Sequence, residues 1–290
     1  MRAIMVMSRD HKVIAVLSGK GGTGKTFVSV NLAYSLPDSI YVDCDVEEPN
    51  GALFLKPTGI STQAVDVMVP TFNAKQCTGC RACVDFCRFN ALSYVGQNVK
   101  VFSDICHSCG GCVLVCQEDA LTNGTKRVGE VHTGESTGTK VISGMLAIGQ
   151  PSGVPIIAEL NRMIDKQEQW VIKDCPPGAS CAVMESLEGV DYCVLVTEPT
   201  VFGVHNLAMV KELLDLKRMP YGVVINKVTD DHNPAKTYCN ENGIEILSRF
   251  SFSQTLAGRN AEGNVAAAEN DEIKAQFELL NNRIKKEVNG

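Results

Sequence analysis

Aromatic residues are scarce in this chain, at 6% with a single tryptophan, and no apolar run comes near the roughly 20 residues that a membrane span requires. The N-terminus also lacks the uninterrupted apolar stretch of a secretion signal. Met1–Lys12 is broken by Arg2, Arg9, Asp10 and Lys12, and it reads as a short leading strand or a frayed tail. Positive charge is in short supply too. A net charge of −6 argues against a nucleic-acid coat, which needs a basic face, and leaves room only for a local basic patch. The remaining balance, 44% hydrophobic and 21% charged over 290 residues, is that of a soluble protein of one or two domains. A cytoplasmic location is the expectation, with no nucleic-acid partner and no membrane association.

Cysteine is the exception to this plainness. There are 13, and eight of them lie between Cys77 and Cys116. Without an export signal, and with spacing unlike a disulfide framework, clustered cysteines point to metal or redox chemistry.

The first 50 residues alternate strand and helix. Val13–Leu17 is an apolar run suited to a strand buried on both faces, Ser18–Lys25 is glycine-rich, Thr26–Leu36 has helical spacing up to Pro37, and Ile40–Val42 is the next strand. The rhythm resumes after residue 150. Strands are expected at Trp170–Lys173, Tyr192–Thr197, Gly222–Asn226 and Ile244–Leu247. Helices are expected at Val154–Lys166, Val204–Leu216, Asp231–Asn242 and Asp271–Val288. Such alternation builds an α/β fold with a doubly wound, mostly parallel sheet.

Residues 73–127 break the rhythm with an internal repeat. Cys77, Cys80, Cys83, Cys87, Ala91 and Leu92 recur 29 residues later as Cys106, Cys109, Cys112, Cys116, Ala120 and Leu121. A second, small α+β domain at 73–127 is therefore expected inside a discontinuous first domain, 1–72 and 128–290. Gly129–Lys140 reads as the return linker or a hairpin.

Gly19-Lys20-Gly21-Gly22-Thr23-Gly24-Lys25-Thr26 fits G-x-x-x-x-G-K-[ST] between a strand and a helix. Glycines let successive backbone N–H groups face phosphate oxygens, and the helix N-terminus adds partial positive charge. Lys25 is expected to reach the β- and γ-phosphates, and the Thr26 hydroxyl to ligate Mg²⁺. The early lysine, Lys20, resembles the deviant Walker A motif of the MinD/ParA/nitrogenase-iron-protein family. The resemblance implies that Lys20 crosses a nucleotide-sandwiched dimer to the partner's phosphates. It extends to Asp43-Cys44-Asp45, similar to switch I, and to Asp174-Cys175-Pro176-Pro177-Gly178, similar to Walker B and switch II. It also reaches Asn226-Lys227, similar to the adenine-reading position. The implied roles are Asp45 orienting the attacking water, Asp174 holding a Mg²⁺-bound water and Asp43 supporting the metal shell. Lys20, Lys25 and Asp45 are thus the expected catalytic residues of a slow, partner-stimulated ATPase.

The two cysteine runs follow the spacing of bacterial two-cluster ferredoxins, whose fourth cysteine ligates the other cluster. One 4Fe–4S cluster is expected on Cys77, Cys80, Cys83 and Cys116, the other on Cys106, Cys109, Cys112 and Cys87. Zinc is the alternative, since C-x2-C pairs also suit a tetrahedral ion, but two tandem four-cysteine runs fit it poorly. The customary proline after each fourth cysteine is replaced by Arg88 and Gln117.

Other residues carry weaker signals. Cys193 and Cys239 read as packing residues. Cys181 resembles a bridging-cluster cysteine of the nitrogenase iron protein, but Gly149–Glu159 holds no upstream cysteine to match it. His107 reads as a modulator of solvent access rather than a ligand. The last helix reads as a closing helix, with a membrane-targeting role as the alternative.

Taken whole, the chain resembles MinD-superfamily ATPases with an inserted ferredoxin domain. That implies ATP or ADP, Mg²⁺ and two 4Fe–4S clusters as cofactors, an ATP-dependent homodimer or heterodimer, and a redox protein partner. ATP-gated electron transfer is the leading expectation. The alternatives are a cluster carrier, which the Mrp-type branch builds on a C-x-x-C pair where this chain has only Cys239, and a redox-sensing positioning ATPase.

Overall fold

The computed structural model describes residues 11–36, 38–164, 170–229 and 233–289. The leading segment up to Asp10, Pro37, the expected helix end at Lys166 and the expected helix start at Asp231 lie outside them.

Strand β1 (Lys12–Leu17) enters the glycine loop, followed by α1 (Lys25–Tyr34), β2 (Ser39–Asp43) and the short α2 (Gly51–Leu55). A long strand, β3 (Thr58–Phe72), leads to the cysteine region. That region holds α3 (Ala82–Phe86), the hairpin β4 (Leu92–Val95) and β5 (Asn98–Val101), and α4 (Gly111–Leu114). The chain returns along β6 (Leu121–Ser136) and turns into β7 (Thr139–Leu146). Alternation then resumes through α5 (Val154–Met163), β8 (Trp170–Asp174), α6 (Cys181–Ser186), β9 (Tyr192–Thr197) and α7 (Val201–Lys217). It ends with β10 (Tyr221–Val228), α8 (Pro234–Glu241), β11 (Ile246–Ser251), α9 (Gln254–Ala261), α10 (Ala266–Glu269) and α11 (Asp271–Asn289).

Nine of the described strands form one sheet, ordered β11-β10-β9-β1-β8-β2-β7-β6-β3. From β11 to β7 every pairing is parallel, and β6 and β3 are added antiparallel to their neighbours. Helices α1, α10 and α11 cover one face over Ile14, Val16, Tyr41, Ile172 and Val194. Helices α5, α7 and α8 cover the other, over residues that alternate with these along the same strands. This is the expected doubly wound architecture.

The structure adds to these expectations and adjusts them. The segment Thr58–Phe72 is a strand for which no element was expected, and of the two readings of Gly129–Lys140 the hairpin holds: it joins β6 to β7 within the main sheet. Its turn takes Thr137 and Gly138 at φ 43° and 82°, the two positive values that a two-residue turn matched to strand twist requires. The last strand begins at Ile246, not Ile244, because the Ile244 amide donates to Cys239 O at 2.8 Å and so belongs to the turn after α8. Strand β3 ends at Phe72, just before the cysteine region, and residue 127 falls inside β6.

Helix α11 is a closing helix. It buries Phe277, Leu280 and Ile284 against α1 and β11, and Phe277 stacks on Phe250 at 4.7 Å and meets Phe27 edge-on at 5.7 Å. No described helix is long and apolar enough to cross a membrane. Replacing Phe277 by Ala removes the shared member of this aromatic trio, and a loss of about 3–5 kcal/mol of stability is expected in chemical denaturation.

Candidate functional site

The phosphate loop is set by its neighbours as much as by its glycines. Gly24, at φ 92°, caps α1, and a side chain there would collide with the Asn226 amide. Asn226 Nδ2 donates to Thr23 O at 2.9 Å, so the residue expected to read adenine also braces the loop. Lys227, itself at φ 59°, donates to Gly22 O at 2.6 Å. The loop walls a cavity of about 1020 Å³ whose lining includes Gly22, Gly24, Lys25, Thr26 and Asp45. A second cavity of about 140 Å³ adjoins it between Phe27, Asn226, Phe252, Leu256 and Asn260.

The charges at the cavity floor follow from strand register. Strand β8 lies between β1 and β2, and Asp43 and Asp174 are direct partners across β2 and β8. Lys25, at the start of α1, sends its buried ammonium to Asp174 Oδ1 at 2.5 Å and to Asp45 Oδ2 at 3.4 Å. Burial pulls the Lys25 pKa down, but Asp174 and then Asp45 outweigh it and hold it well above the ordinary lysine value. The other Asp174 oxygen accepts a hydrogen bond from Tyr41 Oη at 2.9 Å.

Asp43 lies beside Asp174 on the neighbouring strand. It is fully buried, and its carboxylate accepts from the backbone N–H groups of Asp45 (3.2 Å) and Gly51 (2.9 Å). Asp43 thereby shapes the turn that presents Asp45 instead of facing the cavity. Burial, reinforced by the charge of Asp174, pushes its pKa up to about 8.

Lys20 sits at the mouth of the site. Its ammonium bonds Glu198 at 2.6 Å and lies 5.1 Å over the Phe202 ring. Glu198 also pairs with Lys227 at 2.8 Å, so one carboxylate holds two lysines of the loop region. Tyr41 and Glu198 were not singled out from sequence. A signal existed for both: Tyr41 is two residues from Asp43 on the same strand face, and Glu198 follows the carboxyl end of β9, where ligands of such sheets gather.

In the cysteine region, Cys77, Cys80, Cys83 and Cys116 line one small cavity of about 20 Å³. Cys87, Cys106, Cys109 and Cys112 line another of about 60 Å³, walled by Met68, Pro70, Phe86 and Leu92. Burial raises the Cys83 pKa, with further contributions from the Cys116 and Cys80 sulfurs, and Cys112 is raised by burial and by Cys106 and Cys109. Each cavity thus draws three cysteines from one run and the fourth from the other. Among the described residues, no group of three or more His, Cys, Asp or Glu side chains converges closely enough to hold a single metal ion. His107 stacks on Phe89 at 3.7 Å beside the second cavity.

The leftover cysteines separate cleanly. Cys44, Cys175, Cys193 and Cys239 are buried, and burial raises each thiol, to about 12 for Cys44 and Cys193 and about 11 for Cys239. Cys181 is exposed at the start of α6, just beyond the Pro176-Pro177-Gly178 loop.

A glycine loop between the first strand and first helix of a mostly parallel α/β sheet, with Lys25 over paired aspartates, defines a P-loop nucleotide-binding protein. The sequence matches the CobQ/CobB/MinD/ParA nucleotide binding domain over residues 14–265, and the chain belongs to that family. Among curated proteins it is 27% identical to the uncharacterized protein MJ0579 of Methanocaldococcus jannaschii over 75% of this chain and 81% of that one. Among solved structures, the fold is similar to the cell division ATPase MinD of Pyrococcus furiosus, with TM-score 0.60 and 18% identity over 95% of this chain and 98% of that one. It is also similar to a putative plasmid partition protein of Borrelia burgdorferi bound to AMPPNP, with TM-score 0.56 and 14% identity over 95% and 99% of the two chains.

The Asp43 shift has a sign that stability measurements can read. A carboxyl whose folded pKa is about 8 against an ordinary 3.8 keeps a proton that the unfolded chain has released. Its contribution is complete below the ordinary value and is lost as pH rises through the folded one. Asp43→Asn, which cannot ionise, is expected to be less stable than the natural protein near pH 5, because an amide serves the two backbone donors poorly. The gap in nucleotide-free melting temperature is expected to narrow towards pH 9.

Proposed function

We propose that this chain is an ATP-binding and ATP-hydrolysing iron–sulfur protein. In this reading, nucleotide-dependent association, with a second copy or a paralogous ATPase, gates electron transfer through two 4Fe–4S clusters to a redox protein. The redox half is carried by one observation: eight cysteines sorted into two cavities, each drawing its fourth cysteine from the other run. A single zinc ion needs its thiolates about 2.3 Å from one centre. A cubane spreads its four ligands over four irons, so thiols that line a cavity without converging on a point suit it better. Residues 73–127 are the cluster module in this reading, and bound clusters supply one-electron carriage. The chain's own contribution is an apolar wall around the sulfurs, which limits water at the site.

The nucleotide half assigns Gly19–Thr26 to the phosphates, with Asn226 and Lys227 beside the base. Thr26 would ligate Mg²⁺, Asp174 would hold a water of its shell, and Asp43 would support the metal shell indirectly, by holding the turn that carries Asp45. Lys25 neutralises the β- and γ-phosphates, and Asp45, at the cavity wall, orients the attacking water. Lys20 leaves Glu198 to reach the nucleotide across the dimer. The carrier alternative loses ground, because Cys239 is fully buried on the inner face of α8. A positioning ATPase is favoured by the MinD and partition-protein likeness of the fold, and ATP-dependent co-sedimentation with liposomes or DNA decides for it.

Two experiments test the proposal. Dithionite-reduced protein mixed in stopped flow with an oxidised bacterial ferredoxin is expected to transfer electrons at a rate that MgATP changes by about fivefold or more. A rate indifferent to nucleotide removes the gating. In sedimentation velocity, Glu198→Gln is expected to favour MgATP-dependent association by about threefold or more, since Lys20 is no longer held in its own chain. Lys20→Ala is expected to abolish that association, and an unaltered constant in both variants ends the role given to Lys20.

A further inference from the structure

The cysteine region hangs from the nucleotide-binding core by two strands, and their geometry is specific. Strands β3 and β6 pair from Thr58–Glu135 out to Phe72–Leu121, without a register shift beyond Asp66–Arg127, and Asn73 N–H donates to Ala120 O at 2.8 Å where the ladder meets the module. Phe72 and Leu121 are themselves part of the module's hydrophobic cluster. The arm and the module therefore move as one piece. Strand β7 pairs with β6 only as far as Gly129, so Leu121–Val128 and Asp66–Phe72 extend beyond the sheet.

The arm leaves the sheet at a bulge. Val65 pairs with Gly129 and Asp66 with Arg127, which leaves Val128 as the extra residue. Its side chain is buried in the same hydrophobic cluster as Val46, the residue directly after Asp45. Two consecutive amides join these points. Leu146 N–H donates to Val46 O at 2.8 Å, and Ala147 N–H donates to Val128 O at 2.9 Å. Val46 is also wedged in place. A Cβ on Gly144 would lie 2.7 Å from its Cγ1, and one on Gly153, which caps α5, would collide with its Cγ2.

We infer that Val46 is the mechanical link through which occupancy of the phosphate site is felt at the cysteine module. This rests on reading the P-loop cavity as a nucleotide site. Asp45 lies 3.4 Å from Lys25 Nζ. A phosphate that takes Lys25 displaces that carboxylate, and Asp45 cannot move far without Val46. Close-packed interiors pass on displacement rather than absorb it, so Val46 carries the β7–α5 junction with it. Leu146 and Ala147 then shift the Val128 bulge, and a small rotation there is amplified along the paired strands to the module. The differential contact that drives the change is the exchange of Lys25 partners, carboxylate for phosphate.

Hydrogen exchange of the full chain, read with and without a non-hydrolysable MgATP analogue, tests this link. In the natural protein, the arm amides of Val67–Phe72 and Leu121–Arg127 are expected to change exchange rate by about threefold or more when the P-loop amides become protected. Val46→Ala is expected to bind the analogue within about twofold of the natural protein and to lose the arm response. Ala147→Pro deletes the donor to Val128 O without touching the switch loop, and it is expected to lose the arm response as well. An arm that ignores bound analogue, or that still responds in both variants, overturns the inference. An arm that responds while electron transfer does not supports the link and removes only the redox reading. Gated transfer with a silent arm does the reverse.

Discussion

The buried ammonium of Lys25 is the constraint around which the rest of the core is arranged. An amine taken from water into a site this enclosed holds its charge only if opposite charge lies within hydrogen-bonding reach. Strand order meets that need. Placing β8 between β1 and β2 brings Asp174 beneath the first turn of α1, and the parallel register sets Asp43 beside it. Two carboxylates side by side repel, and the structure separates their tasks. Asp174 faces the lysine, with Tyr41 on its second oxygen, while Asp43 turns to backbone donors and keeps a raised pKa. The turn that Asp43 holds then returns Asp45 to the lysine. One ion pair, one strand register and one capped turn are thus the same device seen from three sides.

The cysteine region answers a different physical problem. Around 50 residues with short helices and one small hairpin bury little apolar surface, and domains of that size usually rely on metals or disulfides for stability. Its described hydrophobic cluster is drawn largely from cysteines and from strand ends of the arm, Phe72 and Leu121 among them. The region is therefore not a bead on a flexible string. It takes part of its core from the strands that connect it, and those strands are the edge of the main sheet.

Legibility in the sequence followed periodicity and burial. Strands β1, β2, β8, β9 and β10 are buried on both faces, so each reads as an apolar run bounded by turns, and the P-loop reads as a motif between two of them. The cysteines that line each cavity are the four that the resemblance to two-cluster ferredoxins groups together, so that grouping came from the family pattern and not from the repeat alone. Strand β3 was not legible. Its first half, Thr58–Gln63, is exposed and polar, and the strand is held by backbone pairing to β6 rather than by an apolar face. Strand β6 is equally mixed, with Lys126, Arg127, Glu130 and His132 among its residues. Glu198 escaped for another reason. Its importance comes from Lys20 and Lys227, far away in sequence, and only the fold brings the three together.

That convergence bears on how such a site can switch. In the single chain the positive groups at the phosphate loop are already neutralised: Lys25 by Asp174 and Asp45, and Lys20 and Lys227 by Glu198. A nucleotide entering here does not fill a bare positive hole. It competes with internal carboxylates for the same ammonium groups, so the net electrostatic gain is the difference between two paired states and is smaller than either pairing alone. A small difference is what a reversible switch needs, since a ligand shifts a conformational equilibrium only by its differential affinity for the two states. The displaced carboxylates also have to go somewhere. Asp45 is tied through Val46 to the sheet edge, whereas Glu198 stands at the loop mouth among exposed Val201 and Phe202. The two displacements therefore lead in different directions, one through the sheet to the arm and one outward to the exposed start of α7.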